Sequence, residues 1–245
     1  MPAGTSTFAA RFWGQARARV EASAAASMVY EEYASPVRLA AFATLAALIG
    51  LSCSEQLSGR NQQFSGSIEK VRWAELRHSY RAGCPVGPAG LRSVHVGYWD
   101  FAGKPQRGTV VVARAEAPKI LRVFRTLWDA KFPIRRLQPV SAYRGSDDAS
   151  MRADNTSAFN CRYVGGTRRW SLHAYGTAID VNPVENPYVQ GSRVSPAAGR
   201  AYVDRTRYRK GMAMPDGVLV RAFAQAGWKW GASFGDYQHF STTGR

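Results

Sequence analysis

Two short segments in the C-terminal third constrain the fold most tightly, because each places a histidine close to a carboxylate. The first segment contains His173 and Asp180, and the second contains Asp236 and His239. The chain has only four histidines, so half of them lie in these two segments. Imidazole and carboxylate groups are common ligands of transition metals. We therefore expect a fold in which both segments meet at one site.

The spacing within the first segment favours such a site. Gly176 lies between His173 and Asp180 and permits a sharp turn of the chain at little steric cost. Residues 177–181 predict a short buried strand, which would project Ala178 and Asp180 from the same face. Asp180 can then reach a metal ion that His173 holds.

The second segment supplies a third ligand and a spare carboxylate. Asp236 and His239 are three residues apart and share a face on a helical turn or in a tight loop. Two imidazoles and one carboxylate, with a fourth position for water, form a catalytic zinc site, and a nearby carboxylate is the general base that it needs. Taken singly, a histidine is more often a structural residue and Asp180 can cap a turn. The presence of both segments favours the metal site.

The string Ser-x-His-x-x-Gly-x-Ala-x-Asp at residues 171–180, followed by Asp-x-x-His-Phe at 236–240, resembles the zinc D-alanyl-D-alanine carboxypeptidase family. These enzymes, together with related L-alanyl-D-glutamate endopeptidases, cut peptidoglycan stem peptides. The similarity extends through residues 155–162 and 182–188 and covers the chain from about residue 70 onward. It implies an α+β fold of the hedgehog type, a single catalytic domain in which a small antiparallel sheet with flanking helices carries the metal.

The resemblance also implies a role for each residue of the motif. His173, Asp180 and His239 would bind zinc, and Asp236 would act as the general base. Ser171 matches the motif serine, which lies beside the site and can contact substrate. No ligand position departs from the family pattern, so an active enzyme is expected.

The family also uses an arginine upstream of the motif to stabilise the oxyanion or to hold a substrate carboxylate. Arg162 is our choice, because a disulfide at the neighbouring Cys161 would fix its loop beside the site. Arg144 is the alternate, since other branches of the family place the arginine farther upstream. The planar, bidentate donors of a guanidinium suit either task.

The sequence does not determine which peptide bond is cut. Removal of a terminal D-Ala is the favoured activity, but LD-cleavage and endopeptidase action on L-Ala-D-Glu use the same metal centre. A non-catalytic, zinc-containing domain that binds the cell wall is a further alternative. Aromatic residues can line the substrate pocket, although packing is their more common use; the candidates are Tyr175, Trp228, Trp230 and Tyr237.

The N-terminal region predicts export. Residues 39–51 form an uncharged apolar run preceded by Arg38. The run is shorter than the ~20 residues that cross a bilayer and fits the hydrophobic part of a secretory signal. A buried core helix is the alternative, and Cys53 is a candidate for lipidation. The expected divisions are an extension with a signal or membrane anchor (1–53), a flexible linker (54–67) and a peptidase domain (68–245).

Two cysteines lie in the predicted domain, Cys84 and Cys161, and their spacings match no zinc-finger pattern. In an oxidising compartment such a pair readily forms a disulfide, whereas in the cytosol it would remain two buried thiols. Export therefore favours the bridge.

The charge of the chain invites a different class of function. Lysine and arginine outnumber aspartate and glutamate by 33 to 17, which leaves a formal net charge of +16. Arginines alternate with tyrosines in residues 200–210, a pattern that can grip nucleic acid. Because export is expected, anionic wall polymers are the more plausible partners and no nucleic-acid partner is predicted. A solvated basic face is the simplest explanation.

Periodicity predicts mixed secondary structure without regular alternation, which favours an α+β domain over a doubly wound sheet. The long stretch 144–170 has no convincing pattern and predicts a functional loop. The predicted helices are 69–80, 116–131 and 216–227, and the predicted strands are 93–101, 108–113, 137–143, 177–181 and 228–230.

Overall fold

Two three-stranded antiparallel sheets organise the part of the chain that the structure describes. The structure is a computed structural model and describes residues 62–244, which lie in one unit of the chain. The predicted N-terminal extension, with Cys53 and most of the linker, falls outside these residues. The strands are β1 (Gly66–Lys70), β2 (Leu91–Trp99), β3 (Pro105–Ala113), β4 (Arg136–Leu137), β5 (Asn155–Thr156), β6 (Ala178–Asp180), β7 (Tyr188–Gln190), β8 (Arg193–Ser195), β9 (Lys229–Trp230) and β10 (His239–Ser241). The helices are α1 (Trp73–Leu76), α2 (Ala117–Asp129), α3 (Asp147–Arg152) and α4 (Val218–Gln225).

The first sheet has the order β1–β2–β3 and is built on a long hairpin. Strands β2 and β3 are nine residues each and pair along their whole length. The Asp100 carboxylate closes the turn between them by accepting hydrogen bonds from the backbone N–H groups of Ala102 and Lys104 at 2.9 and 2.8 Å. The strands predicted at 93–101 and 108–113 are therefore confirmed, and both begin earlier than predicted.

Helix α2 covers one face of this sheet. Its apolar residues recur at three- and four-residue intervals, which places them on one stripe of the helix. Residues 116–131 were the predicted range, and the observed helix is slightly shorter at both ends. One buried cluster contains Ile120, Val123, Phe124 and Leu127 of the helix and Val94, Val96, Val110 and Val112 of the sheet.

The second sheet has the order β6–β10–β9 and joins the same core. Ile179 of β6 and Phe240 of β10 face each other across the strands and are fully buried. The Phe240 ring stacks on Phe223 of α4 with a centroid distance of 4.3 Å. The predicted elements at 177–181, 216–227 and 228–230 all form, each shorter than predicted.

The helix predicted over 69–80 is wrong for most of its length. Glu69 and Lys70 belong to strand β1, which pairs with β2, and α1 is one turn long. The Glu75 carboxylate accepts hydrogen bonds from the Arg72 backbone N–H at 2.9 Å and the Ser93 hydroxyl at 2.6 Å. These tertiary contacts override the partial apolar periodicity of the segment.

Two other predictions also need correction. The strand predicted over 137–143 ends at Leu137, because Pro139 has no N–H for a sheet ladder and introduces a 3-10 turn at Val140–Tyr143. The predicted loop over 144–170 contains helix α3, capped by the Ser146 hydroxyl, and strand β5. Strand β1 begins at Gly66, two residues before the predicted start of the peptidase domain at residue 68.

The described residues confirm a mixed α+β class, and the hedgehog likeness stays a prediction. Among residues 62–244, no helix is both long and apolar enough to span a membrane. The predicted disulfide between Cys84 and Cys161 is present and joins positions 77 residues apart. It lies in a second, smaller apolar cluster that also includes Leu76, Leu91, Val111 and Phe159.

Candidate metal centre

Three buried side chains converge where β6, β10 and the turn before β6 meet. His173, Asp180 and His239 each offer one ligand atom, and these atoms lie within 4.8 Å of one another. Asp180 Oδ2 is 3.2 Å from Nε2 of His173, and Asp180 Oδ1 is 3.1 Å from Nδ1 of His239. The two imidazole nitrogens are 3.3 Å apart. The structure therefore brings together the three ligands predicted from the sequence.

Local structure fixes the ring of His173. The 3-10 turn Leu172–Tyr175 begins with Ser171, whose hydroxyl accepts a hydrogen bond from the His173 backbone N–H at 3.3 Å. The carbonyl of Ala158 lies 2.6 Å from Nδ1 of the imidazole. Because a carbonyl can only accept, Nδ1 carries the proton and Nε2 keeps its lone pair for a metal.

Gly176 ends this turn in the left-handed region, with φ +69°. A Cβ atom at this position would lie 2.5 Å from the backbone nitrogen of Ala113. Both the dihedral angle and the close approach to β3 therefore require glycine. The sharp turn predicted between His173 and Asp180 is confirmed.

Strand pairing places the other two ligands. Asp180 of β6 lies directly opposite His239 of β10, so their side chains point to the same face of the sheet. The next pair along, Ile179 and Phe240, points to the opposite face and into the core. His239 thus lies on a strand, and the turn that precedes it, with a 3.3 Å hydrogen bond from the His239 N–H to the Asp236 carbonyl, matches the predicted tight loop.

The electrostatics of the cluster suit a cation. Burial acts to raise the pKa of Asp180, but the adjacent His173 and His239 lower the pKa overall, so the carboxylate is ionised. Two nitrogen donors and one anionic oxygen form the borderline ligand set that zinc and similar metals bind. The residues present therefore fit a metal ion of this class.

Asp236 lies close enough for its charge to interact with the cluster. The residue is half-buried, and its Oδ1 atom is buried with no hydrogen-bond partner among the described residues. Burial, and secondly the negative charge of Asp180, raise the pKa of Asp236 to about 7. A carboxyl whose pKa is raised toward neutral pH, beside three candidate metal ligands, has the properties of a general base.

A comparison with known families agrees with the geometry of the site. Residues 165–242 match the family model described as D-alanyl-D-alanine carboxypeptidase, and this range contains the whole cluster and Asp236. The match confirms the predicted resemblance to this family. No curated protein and no solved structure matches the chain.

Of the two arginines considered for this carboxypeptidase-like site, Arg162 is the nearer to it along the backbone. Its carbonyl accepts a hydrogen bond from the Ser171 N–H at 3.1 Å, two residues before His173. Its guanidinium forms an ion pair with Asp147 at 2.9 Å, and its buried Nε has no partner among the described residues. Arg144 is exposed at the end of the 3-10 turn Val140–Tyr143. The choice between them stays a prediction.

The predicted pocket aromatics differ in their surroundings. Tyr175 is 38% exposed and follows His173 by two residues, and its contact with substrate stays a prediction. Trp228 is buried in the core and donates a hydrogen bond to Glu116, which assigns it to packing. Trp230 is partly buried and donates to the Tyr237 carbonyl at 2.8 Å, which links it to the loop of Asp236.

Sequence analysis missed an arginine that packs against the loop of Asp236. Arg205, predicted as part of a solvated basic face, donates to the carbonyls of Glu185 and Ala213 and to the Asn186 side chain. Its guanidinium also lies 4.7 Å from the centroid of the Tyr237 ring. Burial lowers the pKa of Arg205 to about 10. The sequence does not distinguish Arg205 from the neighbouring arginines at 207 and 209, which are exposed. Composition therefore gives no signal for this role.

Proposed function

We propose that this protein is a zinc peptidase that removes the terminal D-alanine from peptidoglycan stem peptides. The convergence of His173, Asp180 and His239, with the buried carboxyl of Asp236 beside them, carries the proposal. Two nitrogens and one carboxylate leave the coordination open for water, as catalysis requires. The family match over residues 165–242 supports a peptidase over a binding domain.

Each residue has a task in the proposed hydrolysis. Zinc, when bound, lowers the pKa of a water molecule and polarises the scissile carbonyl. Asp236 accepts the proton of the attacking water and passes it to the leaving amine as the C–N bond breaks. A nearby cation favours the ionised carboxylate, which offsets the raised pKa of Asp236. Arg162 donates hydrogen bonds to the oxyanion that develops on the carbonyl oxygen.

The disulfide supports an exported location, where the proposed substrate lies. Disulfides persist outside the reducing cytosol. The disulfide between Cys84 and Cys161 also anchors the loop of Arg162. A hydrogen bond from the Cys161 N–H to the Ser79 carbonyl, at 2.8 Å, adds a second link. We propose that the domain acts on the outer side of the cell envelope.

Digestion of purified peptidoglycan by the full-length protein tests the proposal, with released fragments identified by mass spectrometry. Loss of a single D-alanine, abolished by a chelator and restored by zinc, is the expected result. Larger released peptides would replace the carboxypeptidase with an endopeptidase on the same centre. Stoichiometric zinc without any released product would contradict a peptidase and favour a cell-wall-binding domain.

A further inference from the structure

A hairpin leads directly into the metal centre. Its base is the hydrogen bond from the Ser171 N–H to the Arg162 carbonyl, and the next pair, Tyr163 and Trp170, forms an antiparallel bridge. The tip at residues 165–169 is exposed. We call residues 162–171 the basic arm. Because His173 follows the arm by two residues, the position of the arm relative to the site is set by short backbone connections.

Aromatic stacking and the disulfide stiffen the base of the basic arm. The Tyr163 and Trp170 rings stack with centroids 4.0 Å apart. The guanidinium of Arg81 lies 5.3 Å from the first centroid and 5.4 Å from the second, within cation–π range. The Cys84–Cys161 disulfide ties the loop that contains Arg81 to the residue before the arm. Arg81 and the arm therefore form one surface.

The two segments that contain Arg81 and the basic arm carry basic residues and no acidic ones. Residues 76–99 and 155–179 contain no aspartate or glutamate, and the disulfide joins these two segments. They contain six arginines: Arg77, Arg81, Arg92, Arg162, Arg168 and Arg169. Of these, Arg162 forms an ion pair with Asp147 of helix α3. Arg81, Arg168 and Arg169 are exposed. Grouped like charges attract ligands of opposite sign.

We propose that the basic arm and Arg81 bind a free carboxylate of the stem peptide, at a position away from the scissile bond. This inference rests on the proposed function and assigns the recognition of the stem peptide to the basic arm and Arg81. Guanidinium groups match the planar geometry of a carboxylate, and the stacked rings hold Arg81 in place. The glutamyl residue of a stem peptide presents such a carboxylate, unless it is amidated. A contact that forms equally in the ground and transition states lowers KM and leaves kcat unchanged.

The test compares two synthetic stem pentapeptides that differ only in whether the glutamyl carboxyl is free or amidated. Steady-state hydrolysis is measured for the zinc-loaded full-length protein and for the triple variant Arg81→Gln, Arg168→Gln, Arg169→Gln. We expect the wild type to show a KM lower by about tenfold for the free acid, and the triple variant to lose this preference. A matched control, Arg107→Gln, Arg122→Gln, Arg200→Gln, removes three exposed arginines elsewhere and should retain it. Unchanged preference in the arm variant, or none in the wild type, would overturn the proposal.

Two further measurements separate a failed arm from a failed enzyme or a misfolded variant. Zinc content of the triple variant should equal that of the wild type, and its melting temperature should fall only slightly, because the contacts of Arg81 with the two rings are lost. Arg81→Lys should keep part of the preference. Calorimetric binding of both peptides to zinc-loaded Asp236→Asn needs no turnover. If the wild type cleaves neither peptide but Asp236→Asn binds the free acid more tightly than the amide, the carboxylate-binding proposal holds and the peptidase proposal fails. If the wild type cleaves both peptides with equal KM, the peptidase proposal holds and the carboxylate-binding proposal fails.

Discussion

The two sheets of the domain divide the work between stability and chemistry. In the β1–β2–β3 sheet, nine-residue strands carry buried valines on the face that α2 covers, and no proposed site residue lies on them. In the β6–β10–β9 sheet, strands of two or three residues carry two of the three candidate ligands. So short a sheet is marginal by itself. It is held by Phe240 and Ile179 in the shared core, which lets the opposite face carry buried polar groups.

Loss of the general base should give the largest effect, and it should leave both sheets intact. We expect Asp236→Asn to lower kcat by about 10³-fold, because proton transfer by a positioned base contributes about 10²–10⁴. The variant should retain one zinc per chain and an unchanged melting temperature. Turnover of stem peptide near the wild-type rate would remove Asp236 from the mechanism.

A matched pair of core substitutions tests whether the metal site depends on the packing of the small sheet alone. Phe240→Ala and Phe124→Ala each remove a fully buried ring, and each should lower the free energy of unfolding by about 3–5 kcal/mol. Phe240 is adjacent to His239 on β10, whereas Phe124 lies on α2. Zinc affinity of the folded fraction should therefore fall only for Phe240→Ala. Equal zinc affinities in urea-free buffer would show that the small sheet keeps its geometry without this ring.

The loop that follows β6 should make stability depend on pH. Burial raises the pKa of Glu185 to about 8, with Asp154 adding to the effect. A carboxyl whose pKa is raised in the folded state stays protonated there, so its destabilising effect develops as pH rises from about 4.5 toward 8. Glu185→Gln should match the wild type near pH 4 and be the more stable of the two at pH 8. Denaturant unfolding at both pH values measures this, and parallel curves would contradict the shift.

The smallest effect is expected at the turn that presents His173. Ser171→Ala removes the hydroxyl that caps this turn and should cost about 1 kcal/mol of stability. Ser171→Thr keeps the acceptor and serves as the control. If Ser171→Ala leaves stability unchanged but raises KM, the serine acts on substrate, as the family resemblance implies.

The convergence of the three candidate ligands was predictable because two short motifs, at residues 171–180 and 236–240, carry them. Gly176 and the alternation over residues 177–181 indicate how His173 and Asp180 approach each other, and the period of α2 is long enough to identify its buried stripe. Arg205 was not predictable, since its partners at 185, 186 and 213 are brought to it only by the fold. Strands of two residues, such as β4 and β5, are too short for any periodicity to appear. The failed helix over 69–80 shows how edge pairing overrides a partial apolar face.

The alternation along β10 has a consequence for how the protein avoids wrong structures. A shift of one residue in its pairing with β6 would bring Phe240 to the position of His239 and send the imidazole into the apolar interior. Such a molecule would lose a ligand and bury an unpaired polar ring in the same step. Misassembled copies would thus be unstable as well as inactive, so they would unfold and pair again or be degraded rather than accumulate as inert protein.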